Sequence, residues 1–137
     1  MSTESAQAAL GKFAEAVNTG NFDLFDQVVA INCVDHDPAE GQVPGPAGYR
    51  MFFSGMRTAF PDMSAIPETI VQDEDTIAFA YTLTGTHTGP LGKIPPTGKK
   101  VKIRGVQISK FKDGKMVERW GSSDELTLLK QIGVIPV

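Results

Sequence analysis

Four side chains able to do chemistry fall within one stretch of sequence, Asp75 to Leu129: His87, Gln107, Trp120 and Asp124. A histidine can move a proton near neutral pH or orient a carbonyl. A carboxylate can remove a proton from a carbon held between two carbonyls and later return it to a new oxygen. An amide can donate to an enolate oxygen, and an indole can stack on a flat ring. Among the four, Asp124 is the carboxylate, and it stands where a strand gives way to a helix. The pattern suggests a pocket in a curved sheet with an acid/base group near its mouth or floor. Each residue also has a structural use. Asp is favoured as a helix N-cap, a lone His near a strand end can sit in a satisfied hydrogen bond, and Trp120 can be core.

The elements that would position these groups follow from periodicity. Ala6, Leu10, Phe13, Ala14 and Val17 have the spacing of one helical face, with Thr3 as a cap and Gly20 as a stop. Asn21 or Asp23 opens a second, shorter helix with Phe22, Phe25, Val28 and Val29 on its face. The polar segment Asp35-His36-Asp37-Pro38 leads into a Gly/Pro-rich loop. Pro46 suits the first turn of a third helix carrying Tyr49, Phe52, Phe53, Met56 and Ala59, which ends before Pro61. The period then becomes two. Met63 to Gln72 reads as a strand whose Pro67 marks an edge or bulge. In Asp75 to Thr88, Ile77, Phe79, Tyr81, Leu83, Gly85 and His87 share one face. Lys100 to Lys112 and Lys115 to Ser123 form a hairpin through Asp113-Gly114. A last helix carries Leu126, Leu128, Leu129 and Ile132, and Gly133 closes it. Helices first and antiparallel strands after make an α+β plan, a curved sheet wrapped by helices into a cone. Gly85 and Gly105, inside long strands, are expected to bend or bulge it.

With a two-residue turn, Lys112 faces Lys115. Counting back pairs Phe111 with Met116, Ser109 with Glu118, Gln107 with Trp120 and Ile103 with Asp124. That row holds Val101, Ile103, Phe111, Met116 and Trp120, so it is the inward one, and Gln107, Glu118 and Asp124 point inward with it. Buried polar groups need partners or a ligand. The opposite face carries Lys102, Arg104, Lys110 and Arg119 among Val106, Ile108 and Val117. An exposed apolar stripe of this kind reads as a homodimer or homotetramer surface.

A length of 137 residues suits one domain, 1–137. A formal net charge of −3 argues against a nucleic-acid surface. The cluster Lys99, Lys100, Lys102 and Arg104 reads as a solvated strand face. No apolar run approaches a membrane span, and the first residues lack the basic and apolar regions of a secretory signal. With Cys33 alone and no internal disulfide possible, a reducing, cytoplasmic setting is expected. His36 stands between two acids, but neighbouring residues point in different directions and no third nitrogen or sulfur ligand is near, so no metal is expected. Gly92 to Lys100 has neither the spacing nor the following helix of a phosphate loop.

Asp35-His36-Asp37-Pro38, Gly48-Tyr-Arg-Met-Phe-Phe53, Ala59-Phe-Pro-Asp62, Gly85-Thr-His-Thr-Gly89, Ile94-Pro-Pro-Thr-Gly98 and Glu118-Arg-Trp-Gly121 with Asp124 follow one another in order. Together they resemble the SnoaL-like polyketide cyclase (ester cyclase) family, of the nuclear-transport-factor-2-like fold. The resemblance implies intramolecular aldol closure of a polyketide ring without metal or organic cofactor. It implies Asp124 as general acid/base, Gln107 as a pocket residue of the preceding strand and His36 as a ligand contact. The family's His two residues after that Gln is Ser109 here, and its frequent Glu-His-Trp is Glu-Arg-Trp. The resulting expectation is a cyclase acting on a hydrophobic, carbonyl-bearing small molecule. Asp124 and His87 would be catalytic, and Gln107, Trp120, His36, Tyr81, Phe79, Phe52 and Met56 would bind substrate. The rival expectations are a non-catalytic binding protein, an isomerase, or an epoxide hydrolase. The last needs an inward Arg between two acids, and Arg104 has the wrong parity for that.

Overall fold

The computed structural model describes residues 2–136; Met1 and Val137, which end the expected domain, lie outside the described residues. Helix α1 (Ser2–Thr19) buries Ala6, Ala9, Phe13, Ala16 and Val17 and stops at Gly20, whose φ of 81° is the left-handed conformation a helix end favours. A short α2 (Leu24–Val28) buries Phe25 and Val28. Helix α3 (Pro46–Ala59) starts on its proline, and α4 (Glu125–Gln131) follows the last strand. Rings of Phe13, Phe25, Tyr49 and Phe53 pack together with centroids 5.1–6.1 Å apart, joining α1, α2 and α3.

The sheet has five strands in the order β1-β5-β4-β3-β2. They are β1 (Val29–Asp35), β2 (Ser64–Asp73), β3 (Thr76–Thr86), β4 (Lys100–Lys112) and β5 (Lys115–Ser123). All neighbours are antiparallel except β1 and β5, which run parallel. This is the expected α+β architecture, a mostly antiparallel curved sheet with helices against its inner face. Burial along β4 alternates without a break, with Val101, Ile103, Gly105, Gln107, Ser109 and Phe111 turned inward.

Three features differ from the sequence reading. Strand β1 takes in Val29, expected on the second helix, and Asp35, expected in the polar segment before the loop, with no strand expected between them. Its residues show no regular alternation, burying Val29 and Cys33 with exposed Ile31 and Asn32 between them. Second, Gly85 and Gly105 neither bulge nor break the pairing, since β3 and β4 stay in register from Thr76↔Lys110 to Thr86↔Lys100. They make room instead. A Cβ on Gly85 would come within 3.0 Å of Phe60, and one on Gly105 would run into the ring of Tyr81. The bulges are elsewhere, one of them just after Pro67 on the edge strand β2, as its proline suggested.

The third difference governs the site. Asp113 and Gly114 take φ of 52° and 77°, and Lys112 pairs with Lys115 as expected. Then Phe111 pairs with Met116 but Lys110 pairs with Glu118, leaving Val117 as a one-residue bulge. Side chains alternate with period two, so one extra residue exchanges the faces of everything after it. Gln107 therefore pairs with Gly121, Ser109 with Arg119, and Ile108 with Trp120. Arg119, Gly121 and Ser123 are inward, whereas Glu118, Trp120 and Asp124 fall in the outward row.

Candidate active site

The exchange of faces puts Arg119 opposite Ser109, where Glu118 was expected, and Arg119 organises a buried polar network. Asp35, the last residue of β1, lies in register with Arg119 of β5. Arg119 Nη1 donates to Asp35 Oδ1 and Oδ2 at 3.2 and 3.0 Å. Its Nε donates to Gln107 Oε1 at 2.9 Å, and Gln107 Nε2 donates to Ser109 Oγ at 2.9 Å. Asp35 also accepts from the Tyr49 hydroxyl (3.0 Å), Gln42 Nε2 (3.3 Å) and the backbone N–H of Asp37 (2.9 Å). The side chains of Arg119 and Asp35 are only 17% and 7% exposed. Charges so far out of water persist because each is paired and hydrogen-bonded. Burial, reinforced by the Asp35 charge, raises the Tyr49 hydroxyl far above its usual range, so it stays protonated and donates. Burial likewise pushes the Cys33 thiol up to about 11, which removes it as a nucleophile at neutral pH.

An open cleft of about 1050 Å³ runs past this network. Phe52, Phe53 and Tyr49 of α3 give it an aromatic wall; Arg119, Gly121 and Ser123 of β5 face it; Asp37 and the start of α4 form part of its rim. Gly121 is required by the close approach of the Arg119 guanidinium, for a Cβ there would collide with Nη2. Nη2 is the guanidinium nitrogen left without a protein acceptor among the described residues. The result is a cationic donor beside an aromatic cleft, locked in orientation by Asp35 and Gln107. Such a group can hold an oxygen on which negative charge develops.

The SnoaL-like polyketide cyclase sequence profile matches residues 7–132. The chain belongs to that family. Its similarity extends to the nogalonic acid methyl ester cyclase of Streptomyces nogalater, 26% identical over 120 residues, covering 86% of this chain and 90% of the relative. Among solved structures it is similar to IdmH, a candidate polyketide cyclase of Streptomyces antibioticus, with 30% identity and a TM-score of 0.80. That match covers 93% of this chain and 98% of IdmH. It is also similar to AclR, a candidate hydroxylase of Streptomyces galilaeus, with 27% identity and a TM-score of 0.85, covering 99% of this chain and 85% of AclR.

This SnoaL-like chain distributes the expected site residues unevenly. Gln107 is buried at the centre of the network. Phe79 and Tyr81 face inward, half-buried against the core, and Phe52 lines the cleft. Met56 packs on the core without lining it. Trp120, expected inward, lies in the outward row because of the Val117 bulge, and there it stacks on His36 with centroids 4.5 Å apart. His36 in turn bonds Glu118 at 2.9 Å, so these two expected substrate contacts belong to the other side of the sheet.

Asp124, the expected base, follows β5 in the outward register and stands at the rim of the cleft. Its backbone N–H bonds the carbonyl of outward-facing Arg104. The carboxylate is exposed and caps α4, Oδ1 accepting from Thr127 N–H (3.1 Å) and Oδ2 from the Thr127 hydroxyl (2.6 Å). Those bonds hold its pKa below the usual carboxylate value, the opposite of what a proton acceptor near neutral pH needs. His87 is fully buried beyond the cleft, packed on Phe60. Its Nδ1 meets the Thr97 hydroxyl at 2.9 Å and accepts from Thr97 N–H at 3.3 Å, and its Nε2 has no partner among the described residues. It ties down the Gly89 to Gly98 loop and does not line the cleft.

Sequence reasoning missed Asp35, Tyr49 and Arg119. The signal for the first is the acidic pair Asp35 and Asp37 two residues apart, in the polar segment weighed above only as a metal site. Among the described residues no three His, Cys, Asp or Glu side chains come together to hold a metal ion, and no helix is long and apolar enough to cross a membrane.

Proposed function

We propose that the cleft binds a hydrophobic, polyketide-like molecule bearing neighbouring carbonyls and closes a ring in it by cofactor-independent acid/base chemistry. The observation that carries this reading is the Arg119 guanidinium, fixed by Asp35 and Gln107 with Nη2 unclaimed. Ring closure of the aldol type passes through an enolate and then an alkoxide, and a pre-oriented cation lowers the energy of both. Phe52, Phe53 and Tyr49 suit a flat, apolar body. Family membership and the similarity to an ester cyclase support the same class of reaction.

One observation favours a second reading, a binding protein without turnover. Asp35, the most buried acid of the cleft, has both carboxylate oxygens engaged by donors, leaving neither free to meet a ligand. An epoxide hydrolase is less well supported, since Arg119 links one acid to an amide and not to a second acid. The test is to incubate the protein with a pool of aromatic polyketide esters and identify retained and converted species by mass spectrometry. A cyclase yields a product isomeric with substrate or lighter by one water, and Arg119→Gln reduces its formation about 100-fold or more. Retention without conversion supports the binding protein. Neither retention nor conversion removes both readings.

We further propose that the outward face of the sheet, with its apolar stripe, meets a second copy of the chain.

A further inference from the structure

The cleft holds five carboxylates, and four have other duties or no fixed place. Asp35 is saturated by Arg119, Tyr49, Gln42 and the Asp37 amide. Glu68 is held by Arg104 and the Thr82 hydroxyl. Asp124 caps α4 through Thr127. Glu125 is exposed in the first turn of α4, and no hydrogen bond from the described residues fixes its carboxylate. The fifth is Asp37.

Asp37 is anchored on three sides. Its N–H donates to Asp35 Oδ1 at 2.9 Å, the N–H of the preceding His36 donates to the Arg119 carbonyl at 2.8 Å, and its own Oδ2 accepts from Gly121 N–H at 2.9 Å. Its Oδ1 has no protein donor among the described residues. Gly121 is also the residue over which the Arg119 guanidinium lies. A free carboxylate oxygen, on an exposed residue at the rim of the cleft, and a free guanidinium nitrogen in its wall are thus mounted on one residue of β5.

From this juxtaposition we propose that Asp37 is the catalytic acid/base of the cleft, working with Arg119 across Gly121. The inference rests on the ring-closure reading above. Asp37 Oδ1 takes the proton from the carbon between two carbonyls. The C–H electron pair moves onto a carbonyl oxygen as an enolate, to which Arg119 Nη2 donates. The enolate carbon then bonds to a second carbonyl carbon of the same molecule, and the π pair of that carbonyl goes to its oxygen. That oxygen takes back the proton from Asp37, so no other reactant is consumed.

The experiment uses methyl benzoylacetate, a β-keto ester with a flat ring, in deuterated buffer. Proton NMR follows exchange of the carbon-bound hydrogen, and saturation transfer from protein to probe follows binding. Wild type should accelerate exchange above the buffer rate. Asp37→Asn, whose side-chain oxygen can still accept from Gly121, should fold and bind alike but exchange about 100-fold more slowly or worse. The acid limb of the pH–rate profile should disappear with it. Full exchange in Asp37→Asn, or its loss in Glu125→Gln instead, would overturn the assignment while leaving the cleft reading intact. Binding without exchange in wild type would overturn it in favour of the binding protein. Neither binding nor exchange would remove the assignment together with the ring-closure reading.

Discussion

The pairing of Asp35 with Arg119 sets how far this site can be altered. A buried ion pair adds little over an apolar pair of the same shape, because desolvation offsets the attraction, but removing one partner leaves a charge stranded. Here each partner is also tied to others, Asp35 to Tyr49 and Gln42, Arg119 to Gln107. Arg119→Met should therefore lower the unfolding free energy in urea by about 3–5 kcal/mol, a large share of what a single domain possesses. Adding Asp35→Asn should recover part of that loss, since the stranded charge goes with it; a double-mutant cycle reads the coupling. Arg119→Lys should not rescue, because an ammonium cannot present the planar fork that reaches Asp35 and Gln107 together. Additive effects of the two substitutions would mean that the pair is not the unit drawn here. At Asp124 the sign of the pH dependence follows from its lowered pKa. Its cap is fully formed above the unfolded carboxyl value and is lost as pH falls through the lower folded value, so it weakens only in acid.

At the scale of elements, one inserted residue decides which chemistry faces inward. Strands β3, β4 and β5, the Asp113-Gly114 turn and helices α1 and α3 were legible because their apolar residues keep a clean period and their ends carry glycine or proline. The Val117 bulge was not. From Met116 to Trp120 the sequence offers an apolar residue on either parity, so the pattern does not choose between the two registers. Flat counting then put Glu118, Trp120 and Asp124 inward and hid Arg119. Asp35 was invisible for a related reason. Its partner lies 84 residues away across a parallel pair that no turn announces. The inward orientation of Gln107 was legible because β4 alternates without irregularity. The bulge makes a sharp prediction. Deleting Val117 closes the bulge and leaves Lys110 opposite Glu118 and Ser109 opposite Arg119, so Arg119 stays inward and the strand loses only its local bend. It should cost about 1–3 kcal/mol and keep the near-ultraviolet circular dichroism of the folded state. Val117→Ala keeps the bulge and should cost about 1 kcal/mol. A deletion variant that loses the folded signal would show that the bend at Val117, and not the pairing alone, holds the sheet.

For the whole molecule, the outward face of the sheet is the feature that the folded chain leaves unsatisfied. Ile66, Val71, Val106 and Ile108 share that face and are 61%, 66%, 55% and 43% exposed. Contiguous apolar surface of this kind marks an interaction site more often than a free surface. Its flanks carry both signs, Arg104 and Lys110 with Glu68 and Glu118, so a two-fold rotation can set acids against bases without a foreign partner. A second copy is the occupant that these features fit. One face used by one two-fold axis gives a dimer, and a tetramer would need a further surface. Sedimentation should give twice the chain mass, and Val106→Lys with Ile108→Lys should give a single chain, because facing lysines in an apolar seam repel and cannot be hydrated. The one tryptophan, Trp120, pairs with Ile108 on this face and supplies an optical check. Its emission should shift to the red when the dimer dissociates on dilution, and the double-lysine variant should show the red-shifted emission at every concentration. Ile108 does not line the cleft, so methyl benzoylacetate binding should survive Ile108→Lys alone. A wild type that sediments as a single chain, or a lysine pair that leaves the dimer intact, would assign the stripe to something other than self-association.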